Sequence, residues 1–511
     1  MRANLLQTFE QLVWQWQGMF SQQRVFARVH RLLFGLLVSL RLHLTSNAIC
    51  ATGRQFHDWS ADYRVCSQSP WDPRRLFDPI LDALPRFLSE PTSPVLVALD
   101  DTLLRKTGRK IPGVTMGRDP MSPPFHVNLC YGLRFVQASV LVSPAEGGAA
   151  RALPVRFEFA PPAVKPKMAR RAGKDSQQAS QENGADAEKS TQLAPSPEQI
   201  AYQEEKKIKR LTQVGLNTIR DLRQSLNERP ELRQRRLIVS GDGSYTTRVV
   251  LQGLPELTTY IGRIRKDAKL YWPAPDSNTG GKTGRPRRYG PVAPTPEQIL
   301  KDDSIAWTTV PCFVAGEMRD IPAKSIGPVY WRKAGVDIPL LLVVIKPAGY
   351  RSRKGGKLHY RQPAFLICTD LTLAVQPLLQ AYLYRWEIEC NHRDEKSLLG
   401  VGEGQVRSPE AVRRLPPLQV AGYSLLLLAS LLSSGFQRGQ HEYLPLPKWR
   451  RVSPSARPSL LDMLNRLRDQ IFARNLDIPI VSFDDFLKEA PTSVKSSKLP
   501  LSAETQCTLA A

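Results

Sequence analysis

Several chemistries are missing from this sequence. Its seven cysteines, at positions 50, 66, 130, 312, 368, 390 and 507, include no C-x-x-C pair and no spacing that suits zinc. The odd, scattered count points to a reducing compartment, the cytosol, and the opening MRANLLQTFEQL lacks the design of a signal peptide. No H-E-x-x-H occurs among the seven histidines, which argues against a zinc hydrolase, and neither a P-loop nor G-x-G-x-x-G offers a ready phosphate cradle. There is no internal repeat. The leucine-rich runs at 32–40 and 425–432 fall short of the roughly 20 residues that a bilayer needs, so both read as buried helices and no membrane partner is expected. Acidic residues are also scarce. Against 71 Lys+Arg stand 47 Asp+Glu, giving a net charge of +24 and a sequence pI near 9.9. Such a surplus, spread over several segments, is the footprint of a protein that works against a polyanion, nucleic acid first.

What is present suffices for a large folded chain. With 511 residues and 42% hydrophobic content it can bury a core over two to four domains, and 42 prolines make it rich in loops. Residues 1–90 read as a helical N-terminal domain from the spacing in LLQTFEQLVWQWQGMF and RVFARVHRLLFGLLVSL. It is either a DNA-recognition unit or a helical layer packed on the next domain. Residues 94–254 read as the first part of an α/β catalytic domain. The run PVLVALDDTLL looks like a doubly buried strand ending at Asp100 and Asp101, and RRLIVS looks like a later strand ending before Asp242 in GDGS. An Asp at a strand end is often a turn residue, so neither decides alone. Within this part, residues 164–197 have almost no large apolar side chains and read as a disordered linker, followed by one long helix capped by Ser196 and Pro197. Residues 255–365 read as a β-rich insertion with basic loops, residues 366–436 as the last part of the catalytic domain, and 437–511 as a basic C-terminal region with a frayed end.

The stretch YLYRWEIECNHRDEK, Tyr382 to Lys396, carries the sharpest signal. On a helix at about 100° per residue, Tyr382, Arg385, Glu389 and Lys396 fall at about 0°, 300°, 340° and 320°, one narrow stripe. A phenol, a guanidinium, a carboxylate and an ammonium make a poor core seam and a good grip for phosphate and metal. Glu387 and Glu395, at about 140° and 220°, lie opposite and read as solvent-facing or structural. His392, at about 280°, borders Arg385 and reads as a supporting or exposed residue. Three carboxylates therefore stand out: Asp100, Asp242 and Glu389. Brought to one rim they would repel unless divalent cations sat among them, and hard oxygen donors suit Mg²⁺ or Mn²⁺. Two such ions serve phosphodiester chemistry. On a strongly basic chain, that is a nucleic-acid phosphoryl-transfer enzyme.

The spacing Tyr382-x2-Arg385-x3-Glu389-x6-Lys396 resembles the YREK signature of bacterial insertion-sequence DDE transposases, which have an RNase H-like catalytic domain. The resemblance spans roughly residues 94–435. It implies an RNase H-like mixed sheet flanked by helices and interrupted by the β-rich insertion. It implies that Asp100, rather than Asp101, is the first metal ligand, with Asp242 and Glu389 completing the catalytic set around two Mg²⁺ or Mn²⁺ ions. Tyr382, Arg385 and Lys396 would then bind DNA phosphates. The partners implied are double-stranded DNA, as transposon ends and target, and a second copy in a homodimeric synaptic complex; the setting is bacterial, cytoplasmic and nucleoid-associated. Two other functions are compatible with the residues: a metal-dependent endonuclease of the same fold, and a catalytically inactive DNA-binding derivative.

Overall fold

The computed structural model describes residues 4–40, 42–119, 122–123, 125–145, 147–164, 196–275, 288–335, 338–347, 349–351, 355–360, 362–437 and 455–476. The polar linker lies almost wholly outside the described residues, as do the chain end and most of the basic loop TGGKTGRPRRYGP.

Five helices open the chain: α1 (Leu5–Trp14), α2 (Gln23–Val38), α3 (Thr45–Ala51), α4 (Trp59–Ser67) and α5 (Asp78–Ala83). Strands β1 (Val95–Arg105), β2 (Thr115–Arg118), β3 (Leu129–Val142) and β4 (Arg151–Phe159) follow as a meander. The stretch expected as one helix is two, α6 (Pro197–Ile208) and α7 (Leu211–Asn227), with a break at Lys209–Arg210. The first starts in a capping box made by Ser196 and Gln199, with Pro197 as its first residue, where a missing N–H costs nothing. Strand β5 (Leu237–Gly241), helix α8 (Arg248–Gly253) and strand β6 (Thr258–Arg263) complete the central unit.

The hydrogen-bonded order β4-β3-β1-β5-β6 defines that unit. Strand β3 runs antiparallel to both β1 and β4, whereas β1, β5 and β6 are mutually parallel. This is the mixed RNase H-like sheet. Alternate residues of β1 meet different layers, as the strand period of two requires. Ala98 packs with Tyr384 and Ile388 on one face, and Leu99 approaches α7 at Gly215 on the other.

The β-rich segment extends the same sheet rather than forming a separate body. It comprises β7 (Leu270–Tyr271), β8 (Val292–Ala293), α9 (Pro296–Lys301), β9 (Thr308–Val314), β10 (Glu317–Trp331), β11 (Pro339–Ile345) and a small ribbon of β12 (Gly349–Arg351) and β13 (Leu358–Tyr360). Strand β14 (Ala364–Cys368) then pairs antiparallel with β6 on one side and β11 on the other, giving twelve strands in all. The sequence boundary at 255 places Thr258–Arg263 in the insertion. In the structure that strand pairs parallel with β5 and antiparallel with β14, linking the central unit to the β-rich segment.

Four helices close the described chain: α10 (Val375–Tyr384), α11 (Trp386–Ser397), α12 (Pro409–Ser434) and α13 (Leu460–Leu476). Helix α12 is long and apolar enough to cross a membrane, yet it is buried: Leu425, Leu426 and Leu428 are fully inaccessible. Its partners include α1, α2, α4, α13 and β4, so the N-terminal helices share one core with the sheet. Replacing one of those leucines by Ala would cost about 2–5 kcal/mol.

Candidate active site

Strand pairing decides where the first two carboxylates stand. The parallel register matches Leu99 with Gly241, and β5 stops there. Asp100 is thus the first residue of β1 beyond its parallel partner, and Asp242 the first beyond β5. Strand β1 does not end at Asp100, as its sequence suggested; it runs on to Arg105 because β3 continues to pair with it as far as Gly132. Both acids still share one rim at the carboxyl ends of adjacent parallel strands, roughly 4.8 Å apart. Gly241 is required beneath them, since a Cβ there would meet the Tyr260 hydroxyl at 2.3 Å. That hydroxyl lies 3.5 Å from the Asp242 carbonyl, to which it donates.

Asp100 and Asp101 point to opposite faces and meet different partners. Arg134 Nη1 donates to Asp101 Oδ2 at 2.7 Å, and the buried Tyr245 hydroxyl donates to its Oδ1 at 3.2 Å. Asp100 keeps a freer carboxylate, accepting the Asp101 backbone N–H at 2.8 Å and Arg385 Nη1 at 3.3 Å. Burial pushes the Asp100 carboxyl up to about 6, against the pull of the Asp101 N–H and Arg385; the negative charges of Asp101 and Asp242 add to the rise.

The stretch from Tyr382 to Lys396 is not one regular helix. Helices α10 and α11 meet at Arg385, where the ladder tightens: Arg385 N donates to the Tyr382 carbonyl at 3.2 Å and Ile388 N to the Arg385 carbonyl at 3.1 Å. The stripe survives in part. Arg385 Nη2 donates to Glu389 Oε1 at 3.0 Å, and its guanidinium carbon lies 5.9 Å from the Tyr382 ring centre. The same guanidinium thus joins Asp100 to Glu389, while its buried Nε has no partner. Lys396 sits two turns further along and is exposed. Burial of its stem lowers its pKa, and besides Glu395 it lies in the field of Arg105, Asp119 and Asp101.

The neighbours on α11 are structural. Glu387 forms a two-point ion pair with Arg457, one contact being 3.0 Å. Glu395 is buried rather than solvent-facing, and burial pushes its carboxyl up to about 8. Asn391 donates to the Ala152 carbonyl at 3.0 Å and the Tyr423 hydroxyl at 2.8 Å, pinning the helix to β4 and α12. His392 is driven down to about 3, by burial first and then by Lys396 and Arg385, so its imidazole is neutral.

Among the described residues, no three of His, Cys, Asp and Glu stand close enough together to hold a metal ion. The reason is local. The Arg385 guanidinium lies between Asp100 and Glu389 and pairs with both. The donor chemistry nevertheless fits a hard divalent ion, because carboxylate oxygens are its preferred ligands, and such an ion would relieve both the desolvation that raises Asp100 and the smaller repulsion from Asp101 and Asp242.

A family model described as "DDE superfamily endonuclease" matches residues 32–332, more than half of the chain. The chain belongs to that family. The matched segment contains Asp100 and Asp242 and stops short of Glu389, so the two strand-end acids of this endonuclease fall within the family match and the helical acid beyond it. No curated protein matches the chain. Among solved structures, the cryo-EM structure of the piggyBac transposase synaptic complex with hairpin DNA is similar at 12% identity and a TM-score of 0.35, covering 96% of this chain and 86% of that one. That likeness is too distant to place residues on. Sequence reasoning did not single out Arg134, Tyr245 and Tyr260, the side chains that brace the two strand-end acids. Each lies on an ordinary-looking strand or turn, and only the fold brings it there.

Proposed function

We propose that this endonuclease is a DNA transposase of the bacterial insertion-sequence kind, cutting transposon ends and joining them to target DNA. The observation that carries this reading is the bridge Asp100–Arg385–Glu389, with Asp242 on the adjoining strand end. It ties the first strand of the sheet to the helix beyond the insertion.

In this reading Asp100, Asp242 and Glu389 hold two Mg²⁺ or Mn²⁺ ions, which would activate an attacking oxygen and stabilise the leaving one. Tyr382, Arg385 and Lys396 grip phosphates of the DNA end. The guanidinium fork suits a phosphate's two oxygens, and its partnerless Nε is a spare donor for such a ligand. His392, half-buried and neutral, takes no part as an acid near pH 7. Duplex DNA and a second copy in a synaptic dimer are the proposed partners, with the cytoplasmic nucleoid as the setting.

The second reading is a metal-dependent endonuclease without strand joining, and the family description favours keeping it. A strand-transfer assay with a precut end separates the two. Joined product supports the transposase; metal-dependent cutting with no joined product replaces it with the nuclease. Full cleavage by Glu389→Ala would sink the assigned site.

A further inference from the structure

Beyond Asp101, β1 leads out of the catalytic rim into an arm that returns to the sheet at Leu129. Its root is fixed. Lys106 is buried and donates to the carbonyl of Gly404 at 2.6 Å and to that of Gly402. Ile111 is buried, and Asp119 N donates to the Asn128 carbonyl at 2.9 Å. Its outer part is different. Met116, Phe125, Val127 and Leu129 all face solvent, and Phe125, at 91% exposure, is the most exposed large apolar side chain among the described residues.

Charge says what covers this surface. From 105 to 129 the sequence carries Arg105, Lys106, Arg109, Lys110 and Arg118 against one carboxylate, Asp119. Arg109, Lys110 and Arg118 are exposed. Two copies packed arm to arm would set these cations against one another, an arrangement that costs association. Duplex DNA meets both features, since phosphates take the cations and a base step accepts an apolar wedge. The position agrees. Arg105 is five residues past Asp100 on one continuous strand, about 16 Å at the rise of a β-strand. Lys396, at the other end of the phosphate-gripping stripe, lies in the field of Arg105 and Asp119.

We infer that this arm is a clamp for the DNA end, in which Phe125 wedges into a base step of the duplex away from the cleaved phosphate while Arg109, Lys110 and Arg118 hold the flanking backbone. The inference rests on the proposed action on DNA and adds to it a surface that the three carboxylates do not require.

The test uses the full chain and a duplex carrying the DNA that flanks its coding sequence, with 2-aminopurine placed in turn at successive steps from the end. Wild type should raise the 2-aminopurine fluorescence on binding. Phe125→Ala should lose that rise while still binding, and Phe125→Trp should keep it; at so exposed a position neither change touches the core. Arg109→Ala with Lys110→Ala should lower the salt dependence of binding by about two phosphate contacts. An unchanged rise in Phe125→Ala, with wild type cutting the duplex normally, overturns the clamp and leaves the proposed function standing. Loss of self-association in Phe125→Ala with an undiminished rise overturns it in favour of a contact between copies. Wild type that neither binds nor cuts the duplex removes both proposals.

Discussion

The Arg385 guanidinium lies 3.3 Å from the Asp100 carboxylate and so joins the first strand of the sheet to a helix junction 285 residues later. It reaches Glu389 at 3.0 Å with its other arm. One side chain therefore pairs with two of the three proposed metal ligands in the DNA-free protein. On that arrangement Arg385→Ala should bind Mn²⁺ more tightly than wild type in the absence of DNA, by about tenfold or more, since it releases a charge contact worth at least ~1.4 kcal/mol at such distances. The same variant should cut DNA poorly, having lost a phosphate grip. Titration followed by electron paramagnetic resonance measures the affinity; equal affinities would show that the guanidinium does not compete with the ion.

Asp100 and Asp101 should separate by phenotype. Asp100→Asn should abolish cleavage while sparing DNA binding and the melting temperature, because its carboxylate faces the rim. Asp101→Asn should instead weaken the pairing with Arg134 and Tyr245 and lower stability by roughly 1–3 kcal/mol, as expected for a hydrogen-bonded charge taken from partly buried partners. Thermal unfolding and a cleavage assay on both variants decide the matter. The opposite pattern would move the first ligand to Asp101.

Glu395 makes stability depend on pH. Its carboxyl titrates near 8 in the folded chain, above its ordinary value, so between pH 4.5 and 8 the folded state holds a proton that the unfolded state has released. The group's effect is therefore to lower stability as pH rises through that window, and no further above it. Glu395→Gln keeps the shape and removes the titration. It should be more stable than wild type at pH 7, by at most roughly 3 kcal/mol, and show little advantage at pH 4.5. Denaturant melts at the two pH values read the difference directly; an advantage that does not grow with pH would mean the acid is already ionised when folded.

Lys106→Met should loosen the loop that follows α11. The change removes the donor to the carbonyls of Gly402 and Gly404 and leaves both buried oxygens without it. A loss of about 2–4 kcal/mol is expected, at 1–3 kcal/mol for each orphaned group partly offset by the added apolar contact. Hydrogen exchange at residues 400–405 should accelerate more than exchange in β5.

Much of the candidate site's arrangement was legible in the sequence because its residue types fall in short, unusual patterns. The i,i+4 pair of Arg385 and Glu389 follows from helical geometry alone, and Asp242 follows from a strand ended by glycine. The end of β1 was not legible: whether a strand stops depends on its partner, and β3, 30 residues later, keeps pairing past Asp101. The place of Thr258–Arg263 was hidden for the same reason, since nothing local distinguishes a central strand from an insertion strand. Glu395, read from its angle as solvent-facing or structural, proves to be the second of these, buried on the far side of the helix. An angle says which face a residue takes; what covers that face, here β3 and α12, is decided by distant chain.

The contact between the two ends of the described chain bears on when this enzyme becomes whole. Leu6 N donates to Gln470 at 2.8 Å, and Glu10 is held by both arms of Arg474, across 464 residues. At about 5–20 residues per second, a ribosome needs tens of seconds after making Asp100 before it reaches Glu389, and still longer to reach α13. During that interval α1 lacks one of its partners, and Asp100 and Asp242 lack the third proposed ligand, Glu389. On the proposed function, the chain lacks a complete metal site until α11 has been made, and a transcript cut short before α11 gives a chain without Glu389.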